Sequence, residues 1–191
     1  MNFSDEELMV MFSAGTTEAF DILYDRYKHR IYGFVLGCLQ SPADSEEVVQ
    51  DVFLRVARSG HTYQPTKPFK SWIFTIASNR IKSTAILRKT QQQKQRELKL
   101  LQFETGTSVS LEGNPERPVI VREELHNLFS HLDSDQRMML ILKEVEGWST
   151  NSIAESMGMT PENVRIRVHR ARKKLRAVSD FNDEGDHNEL Q

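Results

Sequence analysis

The chain has one cysteine, Cys38, in 191 residues, so no internal disulfide can staple it. Cys38 lies in the apolar run Ile31–Leu39 and reads as a buried, inert thiol, which suits a reducing cytoplasm. Metal chemistry is equally unsupported: His29, His61, His126, His131 and His187 include no pair four residues apart and no cysteine neighbour at zinc spacing. Glycine and proline are sparse, at 9 and 6 residues, and alternating strand patterns are hard to find, which argues against a sheet-based fold. No glycine-rich loop ends in Gly-Lys and no G-x-S-x-G occurs. The paired carboxylates Glu46-Glu47 and Glu123-Glu124 stand beside helix caps or on wet faces, so acid–base catalysis has little support and the chain reads as a non-enzyme with no cofactor. The longest apolar run is too short to span a bilayer, and the start, through Asp5, Glu6 and Glu7, is acidic where an export signal would be basic. Neither membrane insertion nor export is expected.

What is present is helical periodicity, and it predicts an all-α protein of two small domains. Ser4 can cap a first helix with three acids in its opening turn. After Thr16 or Thr17, Phe20, Leu23, Tyr27, Ile31, Phe34 and Leu36 give a second helix a long apolar face. Ser41-Pro42 starts a third, with Val48, Val49, Val52, Phe53 and Val56 inward and Gln50, Asp51, Leu54 and Arg55 outward. Gly60, Pro65 and Pro68 predict a loop over Ser59–Pro68. A fourth helix follows from Phe69, with Phe69, Trp72, Ile73, Ile76, Ala77 and Ile81 as its stripe and Lys70, Asn79, Arg80 and Lys82 exposed. Rings beside cations suit single-stranded nucleic acid, where aromatics stack on bases and Lys and Arg follow the backbone. A tryptophan on such a stripe can equally be core.

The segment Trp148–Arg176 carries the sharpest signal. Ser149 is a cap for a short helix bearing Ile153, Ala154 and Met157, Gly158 supplies a left-handed stop, and Thr160-Pro161 starts a second helix whose stripe is Val164, Val168, Ala171 and Leu175. Small Ala154, turning Gly158 and wedge-like Val164 are what a helix-turn-helix requires. Arg165, Arg167, Arg170, Arg172, Lys173, Lys174 and Arg176 crowd the outward side, against the single acid Glu162. A merely solvated helix would intersperse glutamates four residues away. Duplex phosphate is therefore the expected counter-charge, and the formal net charge of −2 hides a basic reader between acidic ends.

The expected organisation is a helical domain over residues 1–89, a linker over 90–118, a helix-turn-helix domain over 119–178 and an acidic tail over 179–191, disordered by default. The first part of the linker, to Phe103, could extend the fourth helix. Leu125, Leu128, Phe129 and Leu132 resume the periodicity, and Asp133 or Ser134 caps a helix whose Met138, Leu140, Ile141, Leu142 and Val145 support the reading pair.

Two stretches in this order resemble a bacterial RNA polymerase sigma factor of the compact extracytoplasmic-function (ECF) group, from about Ala19 to Lys89 and from about Leu125 to Val178. The resemblance implies that Asp44–Leu54 docks the polymerase clamp, through Gln50, Asp51, Leu54 and the adjoining Arg55. It implies that Phe69–Arg80 opens the downstream promoter element, with Trp72, Asn79, Arg80 and Lys82 holding an unstacked base. Upstream reading falls to Arg165, Ile166, Arg167, His169 and Arg170 on Val164–Leu175. His169 is open between base contact and plain surface. Core RNA polymerase, promoter DNA and an anti-sigma factor are the implied partners. Ser83, Ser152 and Glu162-Asn163 depart from the family's usual residues; Glu162 puts a negative charge at the helix end that approaches DNA. A free-standing helix-turn-helix regulator with a sensing or dimerising N-terminal domain is the competing reading. A protein adaptor with no DNA role is a third, and it leaves the arginine-rich face unexplained.

Overall fold

The computed structural model describes residues 3–105 and 126–186, with side chains for residues 3–97 and 126–178. Every regular element among them is helical: α1 (Asp5–Ser13), α2 (Thr17–Leu39), α3 (Pro42–Ser59), a 3-10 turn at Gly60–Thr62, α4 (Phe69–Thr105), α5 (Ser134–Glu144), α6 (Thr150–Met157) and α7 (Pro161–Asp186). Residues 126–130 form a further short helical stretch.

Each helix starts where its sequence satisfies the free N–H groups. Ser4 and Glu7 form a reciprocal capping box, the Ser4 hydroxyl accepting from Glu7 N–H at 3.1 Å and the Glu7 carboxylate from Ser4 N–H at 2.7 Å. Asp133 and Gln136 repeat the device at α5. Ser41 caps α3, with Pro42 in its first turn. A long-range contact serves α4: the Glu6 carboxylate accepts Phe69 N–H at 2.9 Å, so α1 pins the helix that follows the loop.

Helices α1 to α4 pack as one bundle around Leu8, Met9, Leu23, Ile31, Val52, Phe69, Ile73 and Ile81, all essentially inaccessible to water. Helices α5 to α7 build the second unit around Met138, Met139, Leu142, Ile153, Val164 and Ala171. These clusters are not separate. The buried apolar side chains of both units form one continuous core, because α5 lies against α2 and α4, and α6 against α4. Gly37 of α2 leaves room for a close approach: a Cβ there would stand 2.7 Å from Ile141 Cδ1. Across the same seam the rings of Phe74 and Trp148 lie 6.1 Å apart.

That seam explains where the periodicity misleads. Trp72 and Ile76, placed on the buried stripe, are half-exposed, whereas Phe74 is fully buried. Helix α4 is clasped on two sides, so Phe74 finds Phe34 on one and Trp148 on the other. Val145, expected inside, is 72% exposed because α5 ends at Glu144 and the chain turns away. Residues 90–105 of the stretch read as linker continue α4, while residues 106–125 lie outside the described residues, and with them Leu125 and the rest of that linker. Helix α7 continues through Asp186, so residues 179–186 of the expected disordered tail are helical; residues 187–191 lie outside the described residues.

Candidate nucleic-acid interface

The helix-turn-helix is built from local chemistry. The Ser149 hydroxyl accepts Ser152 N–H at 3.0 Å, α6 runs two turns, and Gly158 adopts φ 66°, ψ 40°, the left-handed conformation that ends the helix. Thr160 then accepts Asn163 N–H at 3.3 Å and α7 begins at Pro161. Val164, Val168 and Ala171 are buried against α5 and α6, which leaves the opposite face to solvent. Arg165, Ile166, Arg167, His169 and Arg170 all lie on it and all are exposed. Their charges are held differently. Arg165 pairs with Glu162 at 2.8 Å, and Arg167 approaches Asp135 at 3.7 Å. Arg170 has no ion-pair partner among the described residues. Between α5, α6 and α7 a cleft of about 170 Å³ is lined by Lys143, Thr150, Arg165, His169 and Arg172, a cationic recess beside the reading face. Arg172 is tied to Glu144 of α5.

On α4, Asn79 is exposed and Arg80 is only half so, since its guanidinium folds onto Asp51 of α3. Asp51 also binds Arg55 Nε at 2.7 Å. One carboxylate thus links a residue expected at the polymerase with one expected at the separated strand. Gln50, Leu54 and Arg55 are exposed along the same side of α3, Leu54 to 52%. Trp72 packs its ring 5.2 Å from Tyr63 and 6.0 Å from Phe69, partly core and partly open. Asn79, expected with Trp72 at one strand site, lies about two turns farther along α4.

Lys82, expected in solvent, donates to the carbonyl of Met157 at 3.2 Å and so lies against the end of α6. Lys70 donates to the Glu146 carbonyl at 2.8 Å and sits 3.1 Å from the Glu146 carboxylate, which Arg30 binds at 2.7 Å. Thr75 and Ser156 share a hydrogen bond of 3.2 Å. No sequence signal singled out Arg30, Lys70 and Glu146 as a set. They are more than 100 positions apart along the chain at the widest, and pair only through the seam.

A family model described as Sigma-70 region 2 matches residues 23–92, and one described as Sigma-70, region 4 matches residues 122–175. The chain is 31% identical over 170 residues to the RNA polymerase sigma factor CarQ of Myxococcus xanthus, covering 89% of this chain and 94% of the relative. With the ECF RNA polymerase sigma factor SigX of Bacillus subtilis (strain 168) the identity is 29%, over 83% of this chain and 82% of the relative. In fold, it matches a chain in the structure of CnrH in complex with the cytosolic domain of CnrY with TM-score 0.67 and 21% identity, covering 94% of this chain and 99% of that one. A free-standing regulator is not favoured by these likenesses. A helix-turn-helix with an arginine-rich outer face, a second helical unit with an amide-bearing edge and two family matches in the corresponding order lead to one assignment: the chain belongs to the sigma-70-type RNA polymerase sigma factors of the ECF group.

Proposed function

We propose that three surfaces divide the work of promoter-specific initiation in this sigma factor. Gln50, Asp51, Leu54 and Arg55 on α3 dock the clamp of core RNA polymerase. Trp72, Asn79, Arg80 and Lys82 on α4 hold the downstream element once its strands part. Arg165, Ile166, Arg167, His169 and Arg170 on α7 read the upstream element as duplex. The observation that carries this reading is the outward row on α7, five exposed residues ending in an arginine without an acidic partner among the described residues. A guanidinium that no carboxylate occupies is available for the bidentate contact that distinguishes guanine. On α4, an exposed amide can read the edge of an unpaired base, and the half-open Trp72 ring offers a stacking face.

Residues 1–89 and 119–178 are the two working domains in this reading, with residues 90–118 between them and 179–191 as the acidic tail. The protein performs no catalysis itself and acts in the cytoplasm beside the polymerase; among the described residues no helix is long and apolar enough to cross a membrane. An anti-sigma factor is a further partner, since the structure of RpoE matched here, from Bartonella quintana, is of a complex with the anti-sigma factor NepR. Run-off transcription with purified core polymerase on a promoter library tests the whole. The expected result is selective initiation at a promoter class defined by two elements. No association with core polymerase and no initiation at any selected site would overturn it.

A further inference from the structure

Helices α4 and α5 turn two cationic faces toward each other. Between them, over the end of α2, lies a cavity of about 170 Å³ whose polar lining is Arg88, Lys89 and Gln92 from α4 and Ser134 and Arg137 from α5. Arg88 and Gln92 stand four residues apart and Ser134 and Arg137 three, so each set shares one face of its helix. Among the described residues no acidic side chain lines the cavity. The Cys38 thiol on its wall adds no charge, because burial pushes it up and keeps it protonated. Arg88 is partly neutralised, since it pairs with Asp44 and donates to the Leu39 carbonyl at 3.1 Å. Arg137 has no carboxylate partner among the described residues. It donates to the Phe129 carbonyl at 3.0 Å, but its Nε is buried with no acceptor among them. The Ser134 hydroxyl is buried and unpaired in the same way, and exposed Lys89 stands at the rim with no ion-pair partner among the described residues. A guanidinium keeps its proton in any protein, so a half-buried one is costly where an acceptor is missing. Burial accordingly works against the charge of both Arg88 and Arg137.

We propose that this cavity is a binding site for a small phosphate-bearing anion of diphosphate size, held by Ser134 and Arg137 on α5 and by Arg88, Lys89 and Gln92 on α4. Phosphoryl oxygens accept from guanidinium, ammonium, hydroxyl and amide donors alike, and the two faces supply all four kinds. An anion between them offsets the repulsion of like charges and gives the Arg137 Nε–H and the Ser134 hydroxyl an acceptor. A single phosphate leaves part of the space unfilled and a whole nucleotide exceeds it, so a nucleotide enters by its phosphate end and leaves its base outside. The site shares no residue with the surfaces assigned above to polymerase or promoter, and it goes beyond the sigma-factor reading without resting on it.

Isothermal titration calorimetry of the full chain with inorganic pyrophosphate, at fixed ionic strength, tests the site. One saturable event per chain is expected, with Kd below about 1 mM, and saturating pyrophosphate should raise the thermal midpoint. Lys89→Glu, at the exposed rim, should weaken binding about tenfold or more, and Arg137→Gln by a similar factor. Arg58→Gln, an exposed cation on α3 outside the cavity, should leave it unchanged. No saturable binding by the parent, binding that survives both cavity substitutions, or an equal loss in Arg58→Gln would overturn the proposal. If Arg137→Gln fails to fold, Lys89→Glu decides. Two further probes separate the sources of the phosphate. A nucleoside diphosphate that binds more tightly than pyrophosphate, with the same sensitivity to Lys89→Glu, identifies the ligand as a nucleotide, and one that binds no more tightly identifies free diphosphate. An oligothymidylate whose affinity falls with Lys89→Glu and Arg137→Gln as steeply as that of pyrophosphate would overturn the assignment to a small ligand, since the cations would then hold a nucleic-acid backbone.

Discussion

Arg170 is the residue on which upstream specificity should turn. Its guanidinium projects from α7 with no acid to hold it among the described residues, whereas Arg165 and Arg167 are already engaged by Glu162 and Asp135. Arg170→Ala should therefore relax selection at one base position by about 1–3 kcal/mol, while overall duplex affinity falls only modestly. Selection from a promoter library by the parent and the variant, compared position by position, checks this; an unchanged preference at every position would remove Arg170 from base reading. Two tyrosines make a separate statement about pH. Burial, then hydrogen bonding to Asp5 and its negative charge, raises the Tyr27 phenol above its usual range, and burial raises Tyr63 to about 12. A phenol with a raised folded value stabilises the fold fully below about pH 10, and that stability is lost as pH climbs through the folded value. Denaturation midpoints should fall as pH rises past about 9, where the Cys38 thiol, held protonated by burial in the fold, ionises in the unfolded chain, and Tyr27→Phe plus Tyr63→Phe should reduce the part of the loss that sets in above about pH 10.

At the level of single helices the caps carry testable weight. Ser149→Ala removes the side-chain acceptor that starts α6 and should cost about 1 kcal/mol. Gly158→Ala forces an L side chain into φ 66° and should cost a similar ~1 kcal/mol although space around it is open. Urea denaturation reads both, and an effect below a few tenths of a kcal/mol would show that packing, not the turn, holds α6. These caps were legible in the sequence because they act within four residues: Ser4, Ser41, Asp133, Ser149 and Thr160 all cap the helices their spacing predicts. The burial of Phe74 was not, since it depends on Trp148, a residue far away in sequence, and a single-stripe reading of α4 has no term for a second neighbour. The same holds at the reading surfaces. Exposure of the α7 row follows from period and composition, but the partners of Arg80 and Lys82 lie on other helices, so spacing placed both in solvent where the structure ties one to Asp51 and the other to Met157.

On the scale of the molecule, two units that read as independent domains share one core. Thermal unfolding of the free chain should then show a single calorimetric transition, and Gly37→Leu should split or broaden it by detaching α5 from α2. Two resolved transitions in the parent would show that the shared cluster contributes little coupling.

The ring pair Phe74 and Trp148 sets a further condition on how this protein can be used. Whatever draws the halves apart must leave both rings, together with Ile141, facing water or facing something else. A molecule opened along this seam would therefore be sticky unless another surface covered what the seam had hidden.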